Sequence, residues 1–460
     1  MNAVAAVRTS PARSTPAGAA ENFFLLLLLI CPLAASPPMQ AHIIDLPGAK
    51  LAYLVAISFA LAFLSKGARL LAALDRLERG AIRFFAIYIF VFAVAFARSV
   101  PNIPRFHAIA QDMYPSGTAE FVFSLFLLPL IIAATFIYVL KFVRSEESIS
   151  RLLRTIAIAM FFLSCVVLVA IASRPEVYED RNRFAMATLT GDVLGMHYNG
   201  VGMFYIATGP ILLYLALKRG SFWTLNYFFA LFAVALLESR AALFIFVTMS
   251  VGTLIALGRA RTLVAAAPPI ALVAAFALGP LLLQLLTMGF TEHSGVSLAL
   301  LLSDRGNQIW LPLILEWWSD PQRFWFGAGE NGILTSYMLV SGTILAVAHP
   351  HNAYLDFFLD NGIVLLAALL VAIAFFLRWS WRLGRQIKSG LYWVLYLCVA
   401  SYLIAGFIGH EFYPTWESMF MFPVIALMIN VARLELSTGI TPQQARAGRT
   451  QSIESLDATA

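Results

Sequence analysis

The chain alternates between long apolar runs and short polar connections. A helix that crosses the hydrocarbon core of a bilayer needs about 17 to 25 mainly apolar residues, and many of the runs have this length. The pattern predicts an all-α, polytopic membrane protein with about 12 transmembrane helices. The predicted spans are 22–39, 47–65, 81–98, 119–140, 155–173, 200–217, 221–237, 241–257, 262–285, 355–377, 391–409 and 417–433.

The composition agrees with this pattern. Hydrophobic residues make up 60% of the chain and charged residues 12%, with a mean hydropathy of +0.81, whereas soluble domains carry roughly 25% charged residues. These values exclude a soluble enzyme, a disordered protein and a disulfide scaffold. Cys31, Cys165 and Cys398 fall far apart inside apolar runs, so we expect small hydrophobes and neither a disulfide nor a metal framework.

The basic residues indicate topology rather than nucleic-acid binding, because they stand at the ends of apolar runs. Connections such as 141–154 and 378–388 are rich in lysine and arginine, and such connections stay on the cytoplasmic side. Both termini are therefore predicted to be cytoplasmic, and all seven histidines fall on the outer side. The first apolar segment also resembles a signal peptide, but the many later spans favour a retained anchor.

The spans and their connections predict five regions. These are a disordered cytoplasmic tail 1–20, spans one to nine within 21–285, a large outer loop 286–354, spans ten to twelve within 355–434, and a disordered tail 435–460. The tails are polar and rich in small residues. The chain shows no Walker loop, dinucleotide fingerprint or zinc-ligand spacing, which argues against an ATP-driven transporter and a nucleotide-binding enzyme.

The large outer loop is too long for a simple connection, and part of it has helical periodicity. A tryptophan-rich amphipathic helix of this kind prefers the membrane interface; the alternative is a helix that packs over the bundle. Pro312 either lies in its first turn or kinks it. The residues that share the apolar face are Trp310, Leu313, Ile314, Trp317 and Trp318.

The loop ends in two histidines that flank a proline, just before the tenth span. The positive end of a helix disfavours imidazolium and can bind phosphate, so His351 is a candidate proton acceptor; the alternative is a structural histidine. His349 either assists His351 or shapes the turn. Asn352 and Asp356 either orient His351 or a sugar, or Asp356 is only a polar residue at a helix start.

An arginine opens the eighth span on the outer side, against the usual distribution of charge. Arg240 is either an anion clamp, because its planar fork binds two phosphate oxygens, or a snorkelling arginine paired with Glu238. Arg305, and Arg181 or Arg183, are further candidates for binding an anion.

The spacing of these residues resembles a known family. His351-Asn352, followed after nine residues by Gly362, is similar to the signature of the O-antigen ligase family, within a superfamily of O-antigen and exopolysaccharide polymerases and ligases. The motifs cover roughly 180–380, and the layout covers nearly the whole chain. Further matching features are Ser239-Arg240 at the start of a span, Arg305 with Trp310 after it, and Phe326-Gly327-Ala328-Gly329.

The resemblance implies a GT-C-like membrane glycosyltransferase on the periplasmic face of a bacterial inner membrane. Such an enzyme moves a glycan from undecaprenyl diphosphate to lipid A–core, with membrane lipids around it and with neither metal nor cofactor. The implied roles are His351 as catalytic base, Arg240, Arg305 and Arg183 as ligands of the diphosphate, and His349, Asn352 and Asp356 as supporting residues.

Other functions fit the same sequence. A polymerase of the superfamily uses the same donor with a second lipid-linked repeat as acceptor, and a protein oligosaccharyltransferase is a more distant variant. A transporter of the lipid-linked glycan would place polar groups near the bilayer midplane, whereas the basic and histidine candidates cluster on one side. The sugar, the acceptor hydroxyl and the oligomeric state are left open by the sequence.

Overall fold

The computed structural model shows an all-helical protein. It describes residues 18–41, 50–65, 76–109, 127–174, 183–237, 239–259, 306–344, 350–387, 389–407 and 412–437. These residues contain no β-strand. By length and composition, four of their helices can cross a membrane, which identifies a membrane-embedded protein: Glu78–Phe106, Glu146–Ser173, Tyr198–Arg219 and Ala353–Ile387.

The α-helices are numbered here in chain order. They are α1 (Ala19–Ile30), α2 (Pro37–Gln40), α3 (Leu51–Leu64), α4 (Arg76–Ser99), α5 (Ile103–Ile109), α6 (Leu128–Phe142), α7 (Glu146–Ser173), α8 (Arg183–Leu194), α9 (Tyr198–Arg219), α10 (Ser221–Leu236), α11 (Arg240–Ala256), α12 (Leu311–Ser319), α13 (Pro321–Phe326), α14 (Tyr337–Val340), α15 (Ala353–Ile387), α16 (Gly390–Ala405) and α17 (Met421–Ser437). Shorter 3₁₀ turns cover Cys31–Leu33, Val100–Asn102 and Gly332–Thr335, and a π-helical turn covers Gly306–Trp310.

Every predicted span except 262–285 overlaps one of these helices, and 262–285 lies outside the described residues. The helices extend beyond the predicted spans where their ends are charged. α7 begins at Glu146 rather than at 155, and α15 continues to Ile387 rather than ending at 377. α1 and α17 also run slightly into the predicted tails, most of which lie outside the described residues.

The early start of α7 has a local cause. The Ser145 hydroxyl accepts a hydrogen bond from the Ser148 N–H at 3.2 Å, and the Ser148 hydroxyl accepts one from the Ser145 N–H at 3.1 Å. This reciprocal capping satisfies two backbone donors at the helix start. Glu146 and Glu147 follow in the first turn, where the helix dipole stabilises negative charge.

The helix at the centre of the bundle is α9, which is buried along most of its length. It packs against α10, α11 and α16. Added Cβ atoms at Gly202 and Gly209 would lie 2.8 Å from the Ala242 Cβ and 2.9 Å from the Phe246 ring. Small residues allow membrane helices to approach closely, so the first turns of α9 and α11 lie side by side.

The segment between α11 and α15 builds a second apolar core, which is separate from that of the bundle. Residues 306–344, called the loop unit below, pack here on the ends of other helices. α4, α5 and the first turns of α15 contribute to the same core. Its buried members include Phe96, Phe106, Ile309, Leu313, Trp317, Ile333, Leu334, Leu339, Phe358 and Leu359.

A buried carboxylate ties three helices together at the opposite end of the bundle. Glu78 of α4 is 1% exposed, and its carboxylate accepts a hydrogen bond from the guanidinium of Arg144, which follows α6. The Arg433 Nη2 of α17 lies 3.5 Å from the same carboxylate. The Asn430 amide, one turn before Arg433, donates to the carbonyls of Val139 and Val143 at 2.7 and 2.8 Å.

We expect Glu78→Gln to destabilise the fold by about 2 kcal/mol, because the buried side chain loses its charge-assisted hydrogen bond to the partly exposed Arg144. The matched control is Glu147→Gln, whose carboxylate is exposed and pairs with Arg151 on the surface of α7. Exposed pairs of this kind contribute less than about 1 kcal/mol. Unfolding in mixed micelles with increasing SDS measures both variants. Equal losses of stability would contradict the role given to Glu78.

Candidate active site

The loop unit meets α15 at the predicted histidine motif. The Asn352 side-chain oxygen accepts hydrogen bonds from the N–H groups of Tyr354 and Leu355 at 3.0 and 3.1 Å. Asn352 is therefore the N-cap of α15, the role for which asparagine is strongly preferred. His351 stands immediately before this cap, and Asp356 lies in the first turn, where the helix dipole stabilises a carboxylate.

The backbone of His351 has a left-handed conformation, with φ at +55°. This region is uncommon for residues other than glycine, although histidine visits it more often than most. Hydrogen bonds hold the chain on both sides. The Trp310 indole N–H donates to the Pro350 carbonyl at 2.8 Å, and the Ala353 N–H donates to the Gly406 carbonyl at 2.7 Å. Strained backbone held by its surroundings is concentrated at functional sites.

Trp310, whose indole N–H holds the Pro350 carbonyl, also lies close in sequence to the predicted site residue Arg305. Trp310 ends the π-helical turn that begins at Gly306, one residue after Arg305. Arg305 and His349 themselves lie outside the described residues. Trp310, which is five residues after Arg305 in the sequence, therefore contacts the turn that carries His351.

The start of α11 lies at the same end of the bundle. The Ser239 hydroxyl donates to the Asn199 side-chain oxygen at 2.9 Å, beside the first turn of α9. Ser239, Asn199 and Ala405, the last residue of α16, line one small pocket. Gly406, next to Ala405, accepts the hydrogen bond from Ala353. The end of α16 therefore joins the start of α11, which is Arg240, to the start of α15.

The side chains of two predicted arginines lie outside the described part of the structure. For Arg240 and Arg183 only the backbone is described, each as the first residue of a helix. α8 runs from Arg183 towards the start of α9, and its 12 residues extend about 18 Å. The structure therefore brings the backbone at Arg240 to the end of α16, and the expected role of Arg183 stays a prediction.

The glycine motifs quoted for the family resemblance pack against each other. Gly362 has φ at +78° and interrupts α15, which frees carbonyl groups of the preceding turn. The Ala328 and Gly329 N–H groups donate to the Leu359 and Asp360 carbonyls at 2.8 and 2.9 Å. The Trp317 indole N–H also donates to the Leu359 carbonyl, at 3.0 Å. The break in α15 is thus the docking point of the loop unit.

Two residues that sequence reasoning did not single out hold the loop unit in place. The Arg98 guanidinium, at the end of α4, donates to the carbonyls of Phe326 and Gly327. The Glu316 carboxylate accepts from Arg323 at 3.1 Å, from Ser336 at 2.5 Å and from the Tyr337 N–H at 2.7 Å. Their partners are mostly backbone groups distant in sequence, so the sequence carries no signal that would identify them.

The predicted amphipathic helix is present as α12, and Pro312 lies in its first turn rather than at a kink. The predicted apolar face of α12 is partly buried in the protein and partly exposed at its surface. Leu313 and Trp317 are fully buried in the core of the loop unit, whereas Ile314 and Trp318 are exposed. α12 therefore has apolar side chains both on the side that packs against the protein and on the side that faces away from it.

The described residues form an all-helical membrane protein in which the backbones of His351 and of Arg240, the first residue of α11, lie at one end of the bundle, where the loop unit contacts the turn before α15. Among the described residues, no three His, Cys, Asp or Glu side chains are grouped to hold a metal ion. A scan against known protein families gives no match, and neither does a search among curated proteins. The function is therefore argued from the site itself.

Proposed function

We propose that the protein is a membrane glycosyltransferase, an O-antigen ligase that moves an undecaprenyl-diphosphate-linked glycan to lipid A–core. The observation that supports the proposal is that the backbone at the start of α11, which is Arg240, and the backbone next to His351 at the start of α15 both reach the end of α16. A proton acceptor and an anion-binding group at one place are what transfer from a lipid diphosphate requires. The packing of Phe326–Gly329 on Asp360–Gly362 joins two further motifs of the family resemblance.

The proposal includes a topology. About twelve spans in a GT-C-like arrangement would place both termini in the cytoplasm and the loop unit on the periplasmic side of a bacterial inner membrane. The positive-inside distribution supports this orientation. The lipid-linked donor would then present its diphosphate at the outer ends of α9, α11 and α15.

In the proposed reaction, the hydroxyl oxygen of the acceptor attacks the anomeric carbon of the glycan. The bond from that carbon to the diphosphate oxygen breaks, and undecaprenyl diphosphate leaves with the electron pair. His351 takes the hydroxyl proton, a role that suits histidine because its neutral imidazole can accept a proton near neutral pH. Arg240 and Arg305, with Arg183 as a further candidate, stabilise the leaving diphosphate. Direct displacement inverts the anomeric configuration and needs no metal.

A reconstituted transfer assay tests the proposal. The full-length protein in detergent receives the lipid-linked glycan, EDTA, and either lipid A–core or a second lipid-linked repeat. Glycan attached to lipid A–core with inverted anomeric configuration supports the ligase. Extension of the lipid-linked chain alone would instead identify a polymerase. A requirement for added Mg²⁺ or Mn²⁺ would overturn the metal-independent mechanism, and flux across proteoliposomes without transfer would identify a transporter.

We expect Arg240→Ala to weaken donor binding and to lower the transfer rate by about 10²–10³-fold, the effect of removing one preorganised charge-stabilising donor. The matched control is Arg219→Ala, because Arg219 is exposed at the opposite end of the bundle and donates to Ser150 at 2.9 Å. Donor binding and single-turnover transfer are measured for both. Equal activity of the two variants would contradict the role of Arg240.

A further inference from the structure

The loop unit has an apolar outer surface as well as an apolar core. Its exposed large side chains come from three successive helices, α12, α13 and α14. In the part of the chain that the structure describes, these exposed side chains, together called the outer apolar face, are Leu311, Ile314, Leu315, Trp318, Trp325, Phe326, Tyr337 and Val340.

The distribution of polar and apolar side chains in α12 is opposite to that of a helix facing water. Glu316 points inward, is only 12% exposed, and is bonded to Arg323, Ser336 and the Tyr337 N–H. Trp318, two residues later, points outward and is 68% exposed. A carboxylate is stabilised by water and a tryptophan is not, so the orientation indicates that the medium outside α12 is apolar.

The height of this face follows from α4, which makes up most of the candidate membrane span Glu78–Phe106. α4 has 24 residues and is about 36 Å long, against a hydrocarbon core of about 30 Å. Arg98 therefore stands near one boundary of the core, and its guanidinium holds the carbonyls of Phe326 and Gly327. The outer apolar face is thus attached at the level where α4 leaves the membrane.

We infer that the outer apolar face is inserted into the adjacent lipid leaflet, so that the loop unit lies in the membrane interface rather than in water. Tryptophan and tyrosine are enriched at this depth because their rings combine an apolar body with a polar tip, as in Trp318, Trp325 and Tyr337. The occupant of the surface is the bilayer that α4 crosses. The inference does not depend on glycosyl transfer, because it rests on exposure and attachment alone.

A nitroxide label tests the inference in the full-length protein in nanodiscs. The background is Cys165→Ala, because Cys31 and Cys398 are buried and shielded from the reagent. Trp318→Cys is compared with two reference positions of similar exposure: Phe375→Cys on the apolar second half of α15 and Glu147→Cys in the charged first turn of α7. Power saturation gives the accessibility of each label to oxygen and to a water-soluble nickel chelate.

The expected result is a ratio of oxygen to nickel accessibility at position 318 that is far above that at 147 and approaches that at 375. A ratio equal to that at 147 would place the face in water and overturn the inference. Low accessibility to both reagents would mean that protein covers the face, and would also overturn it. If Trp318→Cys does not fold, Tyr337→Cys at the exposed start of α14 reports on the same face.

Discussion

Replacing His351 with alanine is expected to lower the rate of glycan transfer by about 10²–10⁴-fold, the usual contribution of a positioned general base. Binding of the lipid-linked donor should be retained, because the proposed contacts to the diphosphate come from arginines. His351 follows Pro350, whose carbonyl is held by Trp310, so the fold fixes the backbone that carries the imidazole. Single-turnover transfer and donor binding are measured separately.

The left-handed backbone at His351 supplies a sharper variant. Alanine is strained at φ +55°, by roughly 1–2 kcal/mol, so part of the effect of His351→Ala would come from the backbone. Asparagine adopts this conformation readily but cannot act as a base near neutral pH. We therefore expect His351→Asn to keep the stability of the protein and to lose transfer. Robust transfer by His351→Asn would contradict the assignment of the base.

The helices of the bundle are the part of the fold that the sequence predicts best. In a bilayer a long apolar run must form an α-helix, because every backbone N–H and C=O has to be hydrogen-bonded within the segment. The periodicity also predicts α12, although it does not predict which apolar residues face the core. Trp317 and Trp318 are adjacent in sequence, yet only the contacts of α12 with α15 and α4 bury the first and expose the second.

The break in α15 is not predicted by the sequence. Gly362 lies in an apolar run that favours one continuous helix, and the family resemblance marks the residue without giving its conformation. Contact with the loop unit requires glycine at this position, because a Cβ atom there would overlap the backbone of Trp325 and Phe326. Such a contact joins residues more than 30 positions apart and leaves no local pattern.

The supporting role expected for Asn352 is also set by the local fold. The sequence places an asparagine beside the histidine, and an orienting contact to His351 or a sugar was one interpretation. In the structure the side-chain oxygen caps α15, and the orienting contact stays a prediction. Because the cap fixes the start of α15, Asn352 positions His351 through the backbone.

Gly327→Ala is expected to detach the loop unit, because an added Cβ would overlap the carbonyl of Asp360 and the N–H of Asn361. Backbone atoms cannot rotate away as a side chain can, so the Ala328 and Gly329 hydrogen bonds to α15 should be lost. We expect a loss of stability above about 4 kcal/mol, in the range of exceptional single substitutions. Limited proteolysis within 306–344 and thermal unfolding in detergent measure the effect.

Gly342→Ala is the matched control, because Gly342 has the same φ of +71° but nothing within 4 Å of its added Cβ. The two variants share the backbone penalty of roughly 1–2 kcal/mol and differ only in the overlap with α15. Similar proteolysis of both would show that the docking of the loop unit does not depend on Gly327. If only Gly327→Ala is cleaved, transfer should be lost with it, since Trp310, the anchor of Pro350 beside His351, belongs to the detached unit.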